Sequence, residues 1–188
     1  MTRLAFAAAL LALALPAAAQ AELAVGAQAP DFTAQSAMAG KVQSFNLRAA
    51  LRRGPVVLYF FPKAFTQGCS LETRAFAEAT PQFAAAHATV VGMSADDIPT
   101  LQRFSTEECR SKFAVAAATP AIISSYDVAM KMEQLPEAAR GRMPAGLTGR
   151  TSYVIAQNGR ITMVHSNLDY RDHVRLTLEA VQALAHKH

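Results

Sequence analysis

Apolar and polar positions along the chain predict strands and helices in turn. The segment "GPVVLYFF", Gly54–Phe61, is a continuous β-branched and aromatic run bounded by turn formers, which is typical of a strand buried on both faces. Helix-forming residues follow from Ser70 to Ala86, with apolar positions that can face a core. A second strand is predicted over Ala88–Ser94, and a second helix from about Ile98 to Phe113, with Cys109 late on that helix.

The C-terminal part of the chain adds a hairpin and a last helix. "TSYVIAQNGRITMVHS", Thr151–Ser166, reads as two alternating strands around Asn158 and Gly159, a strong hairpin signal. Apolar residues then recur at helical spacing from about Asp172 to Ala185. Strands that alternate with helices in this order predict a single α/β domain, in which helices cover a sheet.

The first 21 residues have the organisation of a secretory signal peptide. A short positive start at Met1–Arg3 precedes an apolar run over Leu4–Leu15, Pro16 ends the run, and "AQA" at Ala19–Ala21 fits a small-residue cleavage pattern. About 12 apolar residues are too few for a membrane anchor, because a bilayer needs roughly 20. We therefore expect a cleaved leader over residues 1–21, a mature domain over residues 22–188, and export to a bacterial periplasm.

Charge and composition exclude several other classes of function. The 188 residues include 18 Lys and Arg against 14 Asp and Glu, a net charge of +4, and loss of Arg3 with the leader leaves 17 minus 14, or +3. Because the basic residues are scattered, the sequence does not support a nucleic-acid-binding surface. His165 and His173 could tune the pH behaviour, but they have no metal-ligand spacing. We expect neither a metal nor a cofactor.

The two cysteines limit the possible redox chemistry. They are too few for a disulfide-dense scaffold. The separation of Cys69 from Cys109 excludes a C-x-x-C redox pair, a haem attachment site and a zinc knuckle. Either the two cysteines pair with each other or one of them reacts.

Cys69 falls at or near the first turn of the first predicted helix. Unpaired backbone N–H groups and a partial positive potential at that position favour a thiolate over a thiol. Gly68 allows close approach of the backbone, and the Thr66 hydroxyl lies one turn earlier. Pro62, which has no N–H, can form a wall of the site without adding a competing polar group. The spacing therefore indicates a reactive cysteine.

Pro62, Thr66 and Cys69 form the motif P-x-x-x-T-x-x-C, and with this motif the chain resembles the peroxiredoxins. This family consists of thiol peroxidases, and the resemblance implies a thioredoxin-like fold with a central mixed β-sheet flanked by helices. "VGAQAPDFTAQ", Val25–Gln35, is similar to the opening segment of the family.

Two further segments extend the resemblance to about residue 165. "VVGMSAD", Val90–Asp96, is similar to the strand that follows the active-site helix in the family. "GRTSYVIAQNGRI", Gly149–Ile161, is similar to the segment that supplies the active-site arginine, which is Arg150 here.

The resemblance implies a thiol-dependent peroxidase that reduces hydrogen peroxide and organic hydroperoxides. Cys69 would attack one peroxide oxygen and become a sulfenic acid. The Arg150 guanidinium, the Thr66 hydroxyl and the backbone N–H groups of Gly68 and Cys69 would bind the two peroxide oxygens.

Within the family, the chain most resembles the Q-type subfamily, also called the bacterioferritin comigratory proteins. One arrangement in this subfamily has a resolving cysteine five residues after the reactive one, a position that Arg74 occupies here. A second arrangement has it on the helix after the next strand, where Cys109 lies. The resemblance therefore implies an intramolecular Cys69–Cys109 disulfide, a thioredoxin-like reductant and a monomer.

Other interpretations of the same residues remain open at this stage. Cys109 could be a buried free thiol, and Glu72 could brace Arg150 or only favour the helix dipole. A static Cys69–Cys109 disulfide would stabilise a non-enzymatic exported domain by about 4 kcal/mol, but it has no use for Arg150. A thiol–disulfide oxidoreductase would want the C-x-x-C that the chain lacks.

Overall fold

The computed structural model describes residues 23–135, 137–141 and 144–186. The predicted signal peptide, Met1–Ala21, lies outside the described residues. The described part forms one mixed sheet of seven strands with helices on both faces. The predicted α/β fold, with a central mixed sheet flanked by helices, is therefore confirmed.

The elements follow one another in an order close to the predicted one. The strands are β1 (Thr33–Met38), β2 (Lys41–Asn46), β3 (Val56–Phe60), β4 (Thr89–Ser94), β5 (Ala114–Ala117), β6 (Thr151–Ile155) and β7 (Ile161–Ser166). The helices are α1 (Leu47–Leu51), α2 (Gln67–Ala85), α3 (Ile98–Glu107), α4 (Pro120–Ser125), α5 (Glu137–Arg140) and α6 (His173–Ala185), with a 3-10 turn at Met132–Gln134.

The sheet has the strand order β2-β1-β5-β4-β3-β6-β7. Strands β3, β4 and β5 are parallel neighbours, whereas β6 pairs antiparallel with both β3 and β7. Strand β1 pairs antiparallel with β2 and β5. In the β3–β6 pair, Phe60 lies opposite Thr151, so the residue just before β6 lies beside the loop that leaves β3.

Strand β3 separates two hydrophobic cores, because alternate side chains of a strand point to opposite faces of the sheet. Leu58 and Phe60 belong to the core that α1 and α4 cover. Tyr59 belongs to the core under α2, α3 and α6, as does Phe61 just after the strand. All five residues of β3 are fully buried, which confirms the prediction of a strand buried on both faces.

The second predicted helix is shorter than the sequence indicated. Helix α3 ends at Glu107 rather than near Phe113, so Cys109 lies beyond the helix and not on it. The chain turns directly after Cys109, where Arg110 and Ser111 have left-handed backbone with φ of 49° and 57°. Helices often end at a glycine, but this turn contains none, so the sequence carries no glycine signal for the end of α3.

Three strands were missed by the pattern analysis. Strands β1 and β2 form a hairpin through Ala39 and Gly40, both of which have positive φ. Strand β5 has only four residues, "AVAA", and alanine is a weak strand former. It pairs between β1 and β4, and burial in the sheet centre therefore overrides its poor propensity.

None of the helices in the described ranges is long and apolar enough to cross a membrane.

Candidate active site around Cys69

The loop between β3 and α2 is anchored from the neighbouring strand by one carboxylate. Asp96 accepts hydrogen bonds from the Ala64 N–H at 2.7 Å and from the Ser94 hydroxyl at 2.9 Å. Its other oxygen lies 3.6 Å from Lys63 Nζ. Because β3 and β4 run parallel, both chains leave the sheet at the same edge, where this carboxylate can hold the loop.

Phe65 sets the direction in which the loop enters the helix. Its φ is 63°, a left-handed conformation that bulky side chains rarely adopt. The ring packs edge-on against Phe104 of α3, with 5.2 Å between centroids, and the Arg103 guanidinium lies 5.4 Å from the Phe65 ring centre. These contacts oppose the backbone strain and hold the next residue, Thr66, at the start of α2.

Helix α2 begins directly after Thr66, and its first turn carries Cys69. The Thr66 hydroxyl makes no capping bond to the helix; it donates instead to the Lys63 carbonyl oxygen at 2.9 Å. The N–H groups of Gly68 and Cys69 have no intrahelical partner at these positions, and with the helix dipole they favour an anion. Cys69 is only 1% exposed, so its sulfur lies in a recess.

The Arg150 guanidinium contacts the Cys69 sulfur. Its Nη2 donates to Cys69 Sγ at 3.5 Å, and its Nε donates to the Leu168 carbonyl oxygen at 2.9 Å. A Cβ at Gly68 would lie 3.3 Å from Nη2, so glycine leaves the room that the guanidinium needs. The structure thus brings the predicted residues Gly68, Cys69 and Arg150 together, with Thr66 directly before α2 and Pro62 in the loop that follows β3.

Glu72 forms a buried ion pair with Arg150 through a guanidinium nitrogen that does not contact the sulfur. Its Oε2 accepts a short hydrogen bond from Arg150 Nη1, and both side chains are almost inaccessible to solvent. Burial raises the pKa of Glu72 to about 8, although the guanidinium acts in the opposite direction. Burial also opposes the charge of Arg150, but Glu72 and Cys69 outweigh it and raise the pKa of Arg150 above its ordinary value. Of the two interpretations of Glu72, the contact favours the brace.

His173 lies behind this ion pair and is fully buried. Its Nδ1 lies 2.8 Å from the Ser152 hydroxyl and 3.6 Å from Glu72 Oε1, and its Nε2 lies 2.9 Å from the Asn167 carbonyl oxygen. Burial lowers the pKa of His173 to about 4. The imidazole is therefore neutral near neutral pH.

Cys109 is the predicted site residue that the structure keeps apart. Both cysteines are free, buried thiols, and their sulfurs are not at disulfide distance. Burial, and then the nearby Glu108 carboxylate, raises the pKa of the Cys109 thiol well above its usual value. Cys109 in this conformation is a protonated thiol, and a static disulfide with Cys69 is not favoured.

Sequence reasoning missed Asp96, and it considered His173 only as a residue that could tune the pH behaviour. Asp96 could have been found as a carboxylate placed directly after a buried strand, at the edge where the reactive loop was expected. His173 carries no such signal, because it meets the site only through the pairing of β6 with β3 and the return of α6 across them. The described residues include no group of three or more His, Cys, Asp or Glu placed to hold a metal ion.

These features define a class of protein. A cysteine at a helix N-terminus, a hydroxyl one turn before it and an arginine against its sulfur, all at one edge of a mixed sheet, are features that suit a thiol peroxidase. The AhpC/TSA family model matches residues 25–164, and the chain belongs to this family. It is a thiol-dependent peroxidase that acts on peroxides.

Similar proteins carry peroxiredoxin names. The chain is 29% identical over 163 residues to "Peroxiredoxin Q, chloroplastic" of Oryza sativa subsp. japonica, a match that covers 85% of this chain and 67% of the relative. It is 28% identical over 164 residues to a protein of Helicobacter pylori strain J99 named as a peroxiredoxin bcp, with 85% of this chain and 99% of the relative covered. The resemblance to the Q-type, or bacterioferritin comigratory, subfamily is therefore confirmed.

Solved structures agree with the fold. Peroxidoxin BcpB from Mycobacterium tuberculosis superposes with a TM-score of 0.72 at 25% identity and covers 85% of this chain and 97% of its own. Peroxiredoxin Q from Xanthomonas campestris has a TM-score of 0.66 at 22% identity, covers 80% of this chain and 90% of its own, and supports the fold alone. The predicted thioredoxin-like fold is confirmed.

Proposed function

We propose that Cys69 is the peroxidatic cysteine and that it reduces hydrogen peroxide and organic hydroperoxides to water or an alcohol. The observation that carries this assignment is the 3.5 Å contact between Arg150 Nη2 and Cys69 Sγ at the N-terminus of α2. A fixed positive charge and a helix N-terminus both favour the thiolate, which is the attacking species. The product on sulfur is a sulfenic acid.

Thr66, Gly68 and Arg150 bind the peroxide in this proposal. Because the Thr66 hydroxyl proton is already donated to a carbonyl oxygen, its oxygen is the acceptor for a peroxide O–H. The N–H groups of Gly68 and Cys69 and the guanidinium are donors for the oxygen on which negative charge grows. Pro62 closes the site without a competing N–H. The guanidinium and the two backbone N–H groups hold the two peroxide oxygens in line with the sulfur.

Cys109 is proposed to resolve the sulfenic acid by forming an intramolecular disulfide. Since both sulfurs are buried and apart, the segment that follows α3 or the start of α2 must move first. The left-handed backbone at Arg110 and Ser111 supports movement of the segment after α3, because such conformations store strain.

Two ion pairs hold the Cys109 segment against α2. Arg74 donates from Nε and Nη2 to the two oxygens of the largely buried Glu108 carboxylate, at 2.5 and 3.0 Å. Arg110 donates to Glu78 at 3.1 Å, in a pair that is exposed on both sides. The Arg74–Glu108 pair is thus the stronger restraint on release of Cys109, and Arg74 stands where another subfamily arrangement has its resolving cysteine.

A thioredoxin-like protein is the proposed reductant, which family membership supports. We propose in addition that the enzyme is a monomer, to be checked by its mass in solution. Export to the periplasm after removal of residues 1–21 is proposed on the signal-peptide pattern. Mass spectrometry of protein from the exporting cell should give an N-terminus at Glu22, and a chain that still begins at Met1 contradicts export.

Cysteine substitutions test the proposed chemistry. In single-turnover stopped-flow measurements on the reduced protein, Cys69→Ser should slow consumption of hydrogen peroxide by at least about a thousandfold, because the nucleophile is lost. Cys109→Ser should leave this first step near the wild-type rate and accumulate a Cys69 sulfenic acid. Peroxide consumption that survives in Cys69→Ser, or that is lost only in Cys109→Ser, contradicts the assignment.

Weakening the Arg74–Glu108 pair should speed resolution. Glu108→Gln removes about 1 kcal/mol of restraint, so disulfide formation after one equivalent of peroxide should become roughly fivefold faster by quenched-flow mass spectrometry. Glu179→Gln, which breaks an exposed pair with Arg175 on α6, is the matched control and should not change this rate. An unchanged or slower rate in Glu108→Gln contradicts the restraint.

A further inference from the structure

A carboxylate oxygen and an imidazole nitrogen face each other behind the Arg150 guanidinium. Glu72 Oε1 is buried and has no hydrogen-bond partner among the described residues. His173 Nδ1 lies 3.6 Å from this oxygen, and both side chains are completely inaccessible to solvent. An unpaired carboxylate oxygen in such a place is costly unless the group binds a proton.

The hydrogen bonds of His173 define which nitrogen can share that proton. The Asn167 carbonyl oxygen, 2.9 Å from Nε2, can only accept, so Nε2 carries a proton. In the neutral ring, Nδ1 is then a lone-pair acceptor, which receives the Ser152 hydroxyl proton at 2.8 Å. Glu72 Oε1 lies 3.6 Å from the same nitrogen, which is beyond hydrogen-bond distance. One additional proton can therefore be bound either at Oε1, with the imidazole neutral, or at Nδ1, with the carboxylate ionised.

The charge of the buried cluster decides when this proton is present. With Cys69 as a thiolate, Arg150 charged and Glu72 ionised, the cluster has one net negative charge, and an additional proton makes it neutral. With Cys69 uncharged, Arg150 and an ionised Glu72 already balance, and the same proton would leave a net positive charge. A buried site disfavours net charge, so the two protonation events are coupled.

We propose that Glu72 and His173 hold one proton behind Arg150 while Cys69 is a thiolate, and release it when the sulfur becomes uncharged. Both are positioning residues, which act on the sulfur through the guanidinium. Burial raises the pKa of Glu72 and lowers that of His173, which favours a carboxyl-bound proton beside a neutral imidazole. This inference rests on the proposed role of Cys69.

The proton that the pair releases balances the peroxide step. The thiolate attacks one oxygen of hydrogen peroxide, the S–O bond forms, the O–O bond breaks, and the departing oxygen leaves as hydroxide. Sulfur is oxidised by two electrons, and the peroxide is reduced. The sulfenic acid is uncharged, so the pair releases its proton, and hydroxide takes up one proton to become water. Since arginine keeps its protons and the pair is closed to solvent, the released proton reaches water only when the site opens transiently.

Several other charged and titratable groups affect the electrostatic potential at Glu72 and His173. Arg150 disfavours a charged imidazole, as does the His165 ring, whose centroid lies 4.5 Å from that of His173. Asp169 acts in the opposite direction. The titratable and charged groups that face the pair are Tyr59 on β3, Cys69 on α2, Arg150 before β6, His165 on β7, and Asp169 and Asp172 before α6.

The test measures protonation of the pair without any peroxide. Nuclear magnetic resonance of the reduced full chain would follow the Glu72 carboxyl carbon and the His173 ring nitrogens from about pH 4 to 9, in wild type and in Cys69→Ser. Loss of the thiolate charge should lower the midpoint of the shared step by at least about one pH unit, a tenfold loss of proton affinity. Equal midpoints in the two proteins overturn the proposal.

A kinetic measurement separates proton holding from a structural role. In His173→Gln, an amide can still donate to the Asn167 carbonyl oxygen but cannot share the proton. The acid limb of the rate of peroxide reduction should move at least about one unit to higher pH, with the alkaline rate retained. A uniform loss of rate at every pH overturns the proposal.

The exposed His87 offers a matched control for the kinetic measurement. It follows the C-terminal end of α2, roughly 27 Å along the helix from Cys69, and His87→Gln should leave the profile unchanged. If His173→Gln does not fold, the nuclear magnetic resonance titration of wild type and Cys69→Ser still tests whether the proton is coupled to the thiolate charge. That comparison also separates the two claims, because coupled titration without peroxide consumption would refute only the peroxidase role of Cys69.

Discussion

A guanidinium with almost no access to water must have its charge compensated inside the protein, and Arg150 has this requirement. Its three donor positions reach Glu72, the Leu168 carbonyl oxygen and the Cys69 sulfur. The first two contacts fix the plane and direction of the guanidinium. The third places a positive charge beside the Cys69 sulfur, the proposed nucleophile. The desolvation cost of the arginine is therefore offset only when the site around the sulfur is assembled.

The fold brings these partners together by strand pairing. Arg150 immediately precedes β6, whose first residue lies opposite the last residue of β3, and Cys69 is on the helix that follows β3. Asp96 after β4 holds the intervening loop at the same edge of the sheet. Because this edge is defined by three adjacent central strands, the reactive geometry depends on the core of the domain and not on a surface loop alone.

Local sequence patterns identified the part of the site between β3 and α2, but not the residues that come from distant parts of the chain. The strand Gly54–Phe61, the helix after it and the P-x-x-x-T-x-x-C spacing are local patterns, so Cys69 and Thr66 could be identified. Arg150 could be identified only by resemblance, because no local pattern brings it to the sulfur. The end of α3 was mispredicted because the chain leaves the helix through left-handed backbone at Arg110 and Ser111, two residues that seldom signal such a turn. The contacts of His173 arise from tertiary pairing, which periodicity does not encode.

In the proposed mechanism, the Arg150 fork binds the peroxide and does not merely favour the thiolate. To separate these roles, Cys69 of wild type and of Arg150→Lys would be compared in reactions with hydrogen peroxide and with iodoacetamide, an alkylating reagent that needs only a thiolate. Lysine keeps the charge but loses the fork, so the peroxide reaction should slow about a hundredfold or more, and alkylation by less than about tenfold. An equal loss in both reactions, or no loss in either, would contradict the account.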